Sequence, residues 1–521
     1  MTRTLAGLLA AGCAAVLAAA APAADTPTWK TTATHALSLN GTPSGALDSS
    51  TPLRVAVALP LQDAAALQAS IAGRQTISRA AFLATYAPAQ SAVDAVAAYL
   101  RDQGFTGVTA TSNRLYVTAA GTAAVTEQAF HTGLSTWRVN GRTVFANDAA
   151  ASVPSPLAAD VISVLGLNDV AAAHTAGIVP QYLTTYNPQG FWKAYDATSA
   201  ATGSATTIAI FTEGAMSGVV ADLRTEEQAN GLAQVTVNEI DTGAKTSDTS
   251  GADEWDMDTQ YSTGMAGTVQ ALDLYTSPTM QNSDLALAFN QFAADDTAKA
   301  GSASFGECEA FPALDGSMAA MDQTFAEAAA QGQTVFASAG DTGGFCPVGT
   351  AVNGVPAGAP DVNPPASSPD VVALGGTTLL TNGDGTYDAE TAWTAGGGGG
   401  PSLFEPEPSW QTGSPTGRGV PDVAMDADPG SGANVYVNGQ PQGVGGTSLS
   451  SPLALGVWAR VESGNANGVG FAAPVLYAHA GSAAFHDVVA GDTGPYPAAP
   501  GWDFATGLGS FDVAKAVATL H

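Results

Sequence analysis

From Thr207 onward, short apolar runs alternate with stretches of helical periodicity, and this alternation narrows the fold more than any other feature. Residues 208–211, 235–240, 271–275, 334–337 and 371–374 read as strands. Residues 285–292 and 321–330, lying between them, read as helices. Strands that alternate with helices predict an α/β unit, with a mainly parallel sheet covered by helices on both faces. In that architecture functional side chains gather at the carboxyl ends of the strands.

The N-terminal part reads differently. Val55, Val57 and Leu59 alternate with small residues, as in a strand, and Val93, Val96 and Leu100 repeat at helical spacing before Gly104. Leu115, Tyr116 and Val117 make a further strand, so residues 25–170 are expected to form an α+β unit. Residues 171–190 show no sustained periodicity and read as an exposed, easily cut linker before a domain over 191–521. Residues 1–24 read as a secretory signal peptide: Arg3, an apolar stretch over residues 5–21, then Ala21-Pro22-Ala23 as a small-residue cleavage site. Cys13 inside that stretch leaves a lipid-anchored cysteine open as an alternative. No later stretch is long and apolar enough to span a membrane. Secretion is therefore expected, with no membrane in the mature form. In an oxidising compartment Cys308 and Cys346 suggest one disulfide, two buried thiols being the alternative.

Asp and Glu number 46 against 16 Lys and Arg, a net charge of −30. Such a surface repels phosphates, which excludes nucleic acid as a partner. Below about pH 4 most carboxylates take up protons, so self-repulsion fades in acid. The balance fits a protein built for acid, although an acidic surface also keeps any secreted protein soluble.

The sharpest local signal is Gly445-Gly446-Thr447-Ser448-Leu449-Ser450-Ser451-Pro452. The glycines permit a tight turn with close backbone approach, and Pro452 suits the first turn of a helix. Ser448 would sit where a loop enters that helix, beside unpaired N–H groups and the positive dipole end. That setting favours a nucleophile and a developing oxyanion, although a Gly-Thr-Ser turn can also merely cap a helix. A serine needs a base. None of the six histidines, His35, His131, His174, His479, His486 and His521, stands in a Gly-Thr-His turn. The acidic run Asp253-Glu254-Trp255-Asp256-Met257-Asp258 offers carboxylates instead. On a helix Glu254 and Asp258 share one face, and two close carboxylates split their pKa values. Taken alone, such a run is also an ordinary acidic helix start. Asp341 follows an apolar strand and opens a Gly-rich turn. There it can cap the turn or, protonated, donate to an oxyanion.

Together these strings resemble the sedolisin family of serine-carboxyl peptidases. Further matches are Ile77-Ser78-Arg79-Ala80-Ala81-Phe82, Tyr86-Ala87-Pro88, Ser302-Ala303-Ser304-Phe305-Gly306-Glu307, Pro365-Ala366-Ser367-Ser368-Pro369 and Gly419-Val420-Pro421-Asp422-Val423. The resemblance covers nearly the whole chain after residue 24. It implies a subtilisin-like catalytic domain preceded by an activation prodomain. Glu254 carries over as general base, Asp258 as its partner, Ser448 as nucleophile and Asp341 as oxyanion acid. The strand Ser304-Phe305-Gly306 would pair with the substrate backbone. Phe305 stands where kumamolisin-like members carry Trp, and Glu213 is offset by one from a supporting Glu of some members. The resemblance also implies one structural calcium ion. The side chains of Asp487 and Asp503 and the carbonyls of Val488, Ala499 and Gly501 would hold it; Ala499 replaces the usual Gly.

The implied activity is that of a secreted, acid-acting endopeptidase on protein or peptide substrates, made as a self-activating zymogen. It is expected to be a monomer whose own prodomain is its partner. Acid is expected to weaken carboxylate contacts between the two parts. Alternatives are a tripeptidyl-peptidase of the same family, a subtilisin-type Ser-His-Asp enzyme, or an inactive binding protein on this fold.

Overall fold

The computed structural model describes residues 28–170, 173–175, 185–346, 358–394, 396–414 and 416–521. The expected signal peptide, Cys13 and most of the linker lie outside the described residues.

The N-terminal unit carries its own core. A four-stranded antiparallel sheet places Tyr116–Thr122 beside Thr106–Ala110 and Pro52–Ala58, with Ser163–Leu165 on the far side of Pro52–Ala58. Val93, Val96 and Leu100 of the helix Gln90–Asp102 pack with Val55, Val57 and Val117 of that sheet. The helical spacing of the first three and the alternation of the strands are what bring them to one side. Gly104, at φ 98°, ends the helix as its position foretold.

The C-terminal unit is built on β1 (Gly203–Glu213), β2 (Val237–Asp241), β3 (Val269–Ser277), β4 (Ala300–Ala303), β5 (Thr334–Ser338), β6 (Val372–Thr381), β7 (Tyr387–Ala392) and β8 (Val423–Asp426). Their order is β2-β3-β1-β4-β5-β6-β7, with β8 beside β6. All pairings are parallel except β6 with β7. Strands buried on both faces read as near-continuous apolar runs, which is why residues 271–275 and 334–337 were legible. Helices α1 (Ser217–Asn230), α2 (Ala252–Ala266) and α5 (Thr447–Gly464) cover one side, with α5 crossing the middle of the sheet. Helices α3 (Asn282–Asp295) and α4 (Ser317–Ala330) pack together on the other. Phe211 of β1 packs against Phe289 and Phe292 of α3.

The two units meet over α3 and α4. Asn113, fully buried, donates to Asn290 Oδ1 at 2.7 Å and Glu327 Oε2 at 2.6 Å. Tyr116 donates its hydroxyl to Ala320 O, and Leu61 N–H donates to Gln323.

Candidate active site

Ser448 is the second residue of α5. Its N–H therefore belongs to the first turn, where no intrahelical acceptor exists and the dipole is positive. The approach needs glycine twice. Gly446 sits at φ 125°, and a Cβ on Gly445 would come within 2.5 Å of Ala427 O. Pro452 falls on the sixth residue of α5 and not in its first turn, a correction to the sequence reading. Without an N–H, Pro452 cannot bond back to the carbonyl of Ser448. Ser304 Oγ lies 3.2 Å from that carbonyl. The Ser448 hydroxyl itself is buried and donates a long bond, 3.4 Å, to Ser304 O.

Glu254 and Asp258 lie one turn apart on α2, 1% and 0% exposed. Every residue from Glu254 to Ala266 is buried, so α2 has no solvated face from its third residue on. Burial first, then the neighbouring Asp258 charge, pushes the Glu254 carboxyl far above the usual range. Burial likewise raises Asp258, opposed by Ser304 Oγ, which donates to its Oδ1 at 2.7 Å. Two carboxyls so placed cannot both be charged, and they titrate as one unit that shares a proton. The Glu254 carboxyl faces the Ser448 hydroxyl, which opposes the rise, and neither of its oxygens has a well-formed hydrogen bond. It is an uncommitted acceptor beside the candidate nucleophile. The third carboxyl of the run, Asp256, turns toward Asp222 and is pushed up to about 9, mainly by burial.

Asp341 follows the end of β5. Its Oδ1 accepts both the N–H and the hydroxyl of Thr447, each at 2.7 Å, and Gly340 N–H donates to that hydroxyl oxygen at 3.1 Å. Burial raises Asp341 to about 6, against the two Thr447 bonds. With two donors on Oδ1, the proton of the neutral acid belongs on Oδ2. Thr447 stood in the quoted motif without a role; its signal was a hydroxyl immediately before the candidate nucleophile.

The segment Ser304-Phe305-Gly306 runs beside these groups. His174–Thr175 pairs antiparallel with it, His174 opposite Gly306 and Thr175 opposite Phe305. Phe305 is buried edge-on against Trp255, ring centroids 6.4 Å apart, and Trp255 Nε1 donates to Glu213 O at 2.8 Å. Glu213 thus supports α2 through its backbone. Its carboxyl lies near Asp248 and is raised to about 7, mainly by burial. Three other histidines are engaged elsewhere: His479 with Val475 O, His486 stacked on Tyr387, His131 on Trp29.

Cys308 and Cys346 are bonded as a disulfide, with Cα atoms 5.3 Å apart. The residues expected at a calcium site also come together. Asp487 accepts from Gly501 N–H, while Asp503 accepts from the N–H groups of Ala499, Ala505 and Thr506. Thr506 Oγ also reaches Val488 O. Both carboxylates and a carbonyl therefore converge on one turn, and no described Lys or Arg pairs with either aspartate. An all-oxygen set without a counter-ion fits a hard cation.

Comparison with known proteins gives the family. Residues 40–170 match the Pro-kumamolisin activation domain, and residues 242–480 match the Subtilase family. Sedolisin of Pseudomonas sp. is 41% identical over 482 residues, 85% of this chain and 81% of its own. Xanthomonalisin of Xanthomonas sp. is 35% identical over 593 aligned residues, 99% of this chain and 71% of its own. The solved structure of Pseudomonas sedolisin, a serine-carboxyl proteinase complexed with two molecules of pseudo-iodotyrostatin, superposes with a TM-score of 0.61 at 41% identity. It covers 65% of this chain and 98% of that one. An epidermin leader peptide processing serine protease of Staphylococcus aureus, 12% identical, shares the fold at a TM-score of 0.51 over 90% of this chain and 99% of that one. A family-wide likeness at this identity and coverage, together with the activation domain, means that the chain belongs to the sedolisin family and is a serine-carboxyl peptidase.

Proposed function

We propose that this peptidase is a secreted, acid-acting endopeptidase made as a self-inhibited precursor. The observation that carries the reading is that the Ser448 hydroxyl faces the buried Glu254–Asp258 pair, with no histidine bonded to it among the described residues. Ser448 Oγ attacks the peptide carbonyl while its proton passes to Glu254. Asp258 shares the pair's other proton and keeps Glu254 oriented. Asp341 Oδ2–H and Ser448 N–H donate to the oxyanion. Collapse expels the amine, which takes the proton from Glu254 and leaves an ester on Ser448. Water, deprotonated by Glu254, then hydrolyses the ester.

The precursor is held in check by its own chain, since His174–Thr175 occupies the strand position that a substrate would take. Charges across the join support release in acid. Arg54 attracts Asp284 and Arg79 attracts Asp296, each lowering a carboxyl that burial raises, so through these two contacts the joined state favours the charged form. Protonation removes both attractions. The precursor held at pH 4 is expected to shed about a third of its length and digest casein, while at pH 7.5 it stays intact and inactive. Activity confined to pH 7.5 would defeat the carboxylate mechanism.

Asp487 and Asp503, with the carbonyls of Val488, Ala499 and Gly501, would hold calcium, which supplies a structural clamp and no catalytic chemistry. Chelation is expected to lower the melting temperature by about 5 °C, as for loss of a ligand at a hundred times its Kd. Added calcium restores it, and in Asp503→Asn neither treatment moves it. An unaltered protein indifferent to chelator and calcium would refute the site.

A further inference from the structure

Two residues past Gly306, Cys308 enters its disulfide with Cys346. With Phe311 and Leu314 of the helix Ala310–Asp315, the bridge forms a small apolar patch, separate from the main core. In the precursor the N-terminal unit packs Leu37, Leu39 and Val170 against this patch. Val170 differs from the other two in its place along the chain. Four residues after it, His174 pairs with Gly306 in the strand position of a substrate.

The pairing is antiparallel, so a chain followed upstream from His174 moves along the peptidase from Gly306 toward Cys308. Four residues beyond Gly306 is Ala310, next to Phe311. The chain that lies in the cleft therefore comes to it from the disulfide patch. When the N-terminal unit leaves, Leu37 and Leu39 leave too, and the patch loses their cover at the upstream end of the cleft. Its chemistry is apolar. The nearby carboxyl, that of Asp361, already accepts the N–H groups of Glu309 and Val362 and calls for no cation.

We propose that in the mature peptidase the Cys308–Cys346, Phe311 and Leu314 patch is an extended subsite for an apolar side chain of the substrate. That side chain lies four residues N-terminal to the residue opposite Gly306, and Val170 holds the place in the precursor. The inference rests on the proposed reading of Ser304-Phe305-Gly306 as the substrate strand.

The test uses mature peptidase and synthetic peptides carrying residues 165–184, with Val, Leu, Ser, Asp or Lys at the position of Val170, and a short peptide of residues 173–184. At one common cleavage site, kcat/KM for Val and Leu is expected to exceed that for Ser and Asp by about tenfold, the discrimination an apolar pocket gives. The short peptide should fall with Ser. In Phe311→Ser the ratio of Val to Ser should drop to about one. If that variant does not fold, Leu314→Ser and the peptide series on the unaltered enzyme decide. Equal rates for all five side chains, or a preference for Lys, would overturn the subsite. Failure of the substrate-strand reading looks different: no peptide of either length is cleaved, and the subsite falls with it.

Discussion

Ser448→Ala is expected to remain full length after prolonged exposure to pH 4 and to show no turnover of casein, a fall of about 10⁶-fold. The size follows from what the residue supplies. Glu254, Asp258 and Asp341 can polarise a carbonyl and move a proton, but without Ser448 Oγ no acyl intermediate forms. Self-processing fails for the same reason if the linker is cut by the enzyme itself. The fold should survive, because Oγ makes only one long hydrogen bond, 3.4 Å to Ser304 O. A stability change within about 1 kcal/mol is expected. Intact mass, a casein assay and a melting curve check the three claims together. Cleavage by a variant freed of contaminating peptidase would remove Ser448 from the mechanism.

The second large effect concerns Asp341 and sets the pH range. In the proposed mechanism the oxyanion needs a donor, so Asp341 acts in its protonated form. Burial raises its carboxyl to about 6, hence kcat/KM should fall about tenfold per unit above that pH, while the acid side of the profile belongs to Glu254, which must be charged to act as base. Asp341→Ala removes the donor at every pH and should cost about 10²–10³-fold. Asp341→Asn should behave otherwise. The two Thr447 donors would claim the amide oxygen and turn the NH₂ toward the oxyanion, so partial activity persists and the fall near pH 6 disappears. Thr447→Val removes one bond that favours the charged form. The Asp341 pKa then rises and the alkaline limb moves to higher pH, while kcat drops because the acid is less firmly held. A limb unmoved in both Asp341→Asn and Thr447→Val would assign the titration to another group.

Much of this was readable from residue order. Residues 271–275 and 334–337 are mostly apolar, Asp273 and Thr334 excepted, because parallel strands are buried on both faces. The string from Gly445 to Pro452 was readable because glycine and proline fix backbone options locally. Glu254 and Asp258 were paired by helical spacing alone. The activation domain was visible in Ile77-Ser78-Arg79-Ala80-Ala81-Phe82 before the structure gave it a core of its own.

Tertiary structure decided the rest, and the reason is distance along the chain. Thr447 clamps Asp341 across 106 residues, and Ser304 reaches the carbonyl freed by Pro452 across 144. Such contacts depend on strand order: β1, β4 and β5 are neighbours only because the sheet reverses between β1 and β3. Nor does local pattern disclose that α2 is buried on every side from Glu254 onward, which is what lifts its carboxyls. A helix with Asp253, Glu254, Asp256 and Asp258 looks solvated until α1, α5 and the sheet close around it. Residue order determined which groups are present and how each short segment bends. Packing determined which of those groups lose their water, and desolvation is what lifts Glu254, Asp258 and Asp341 above ordinary carboxylates.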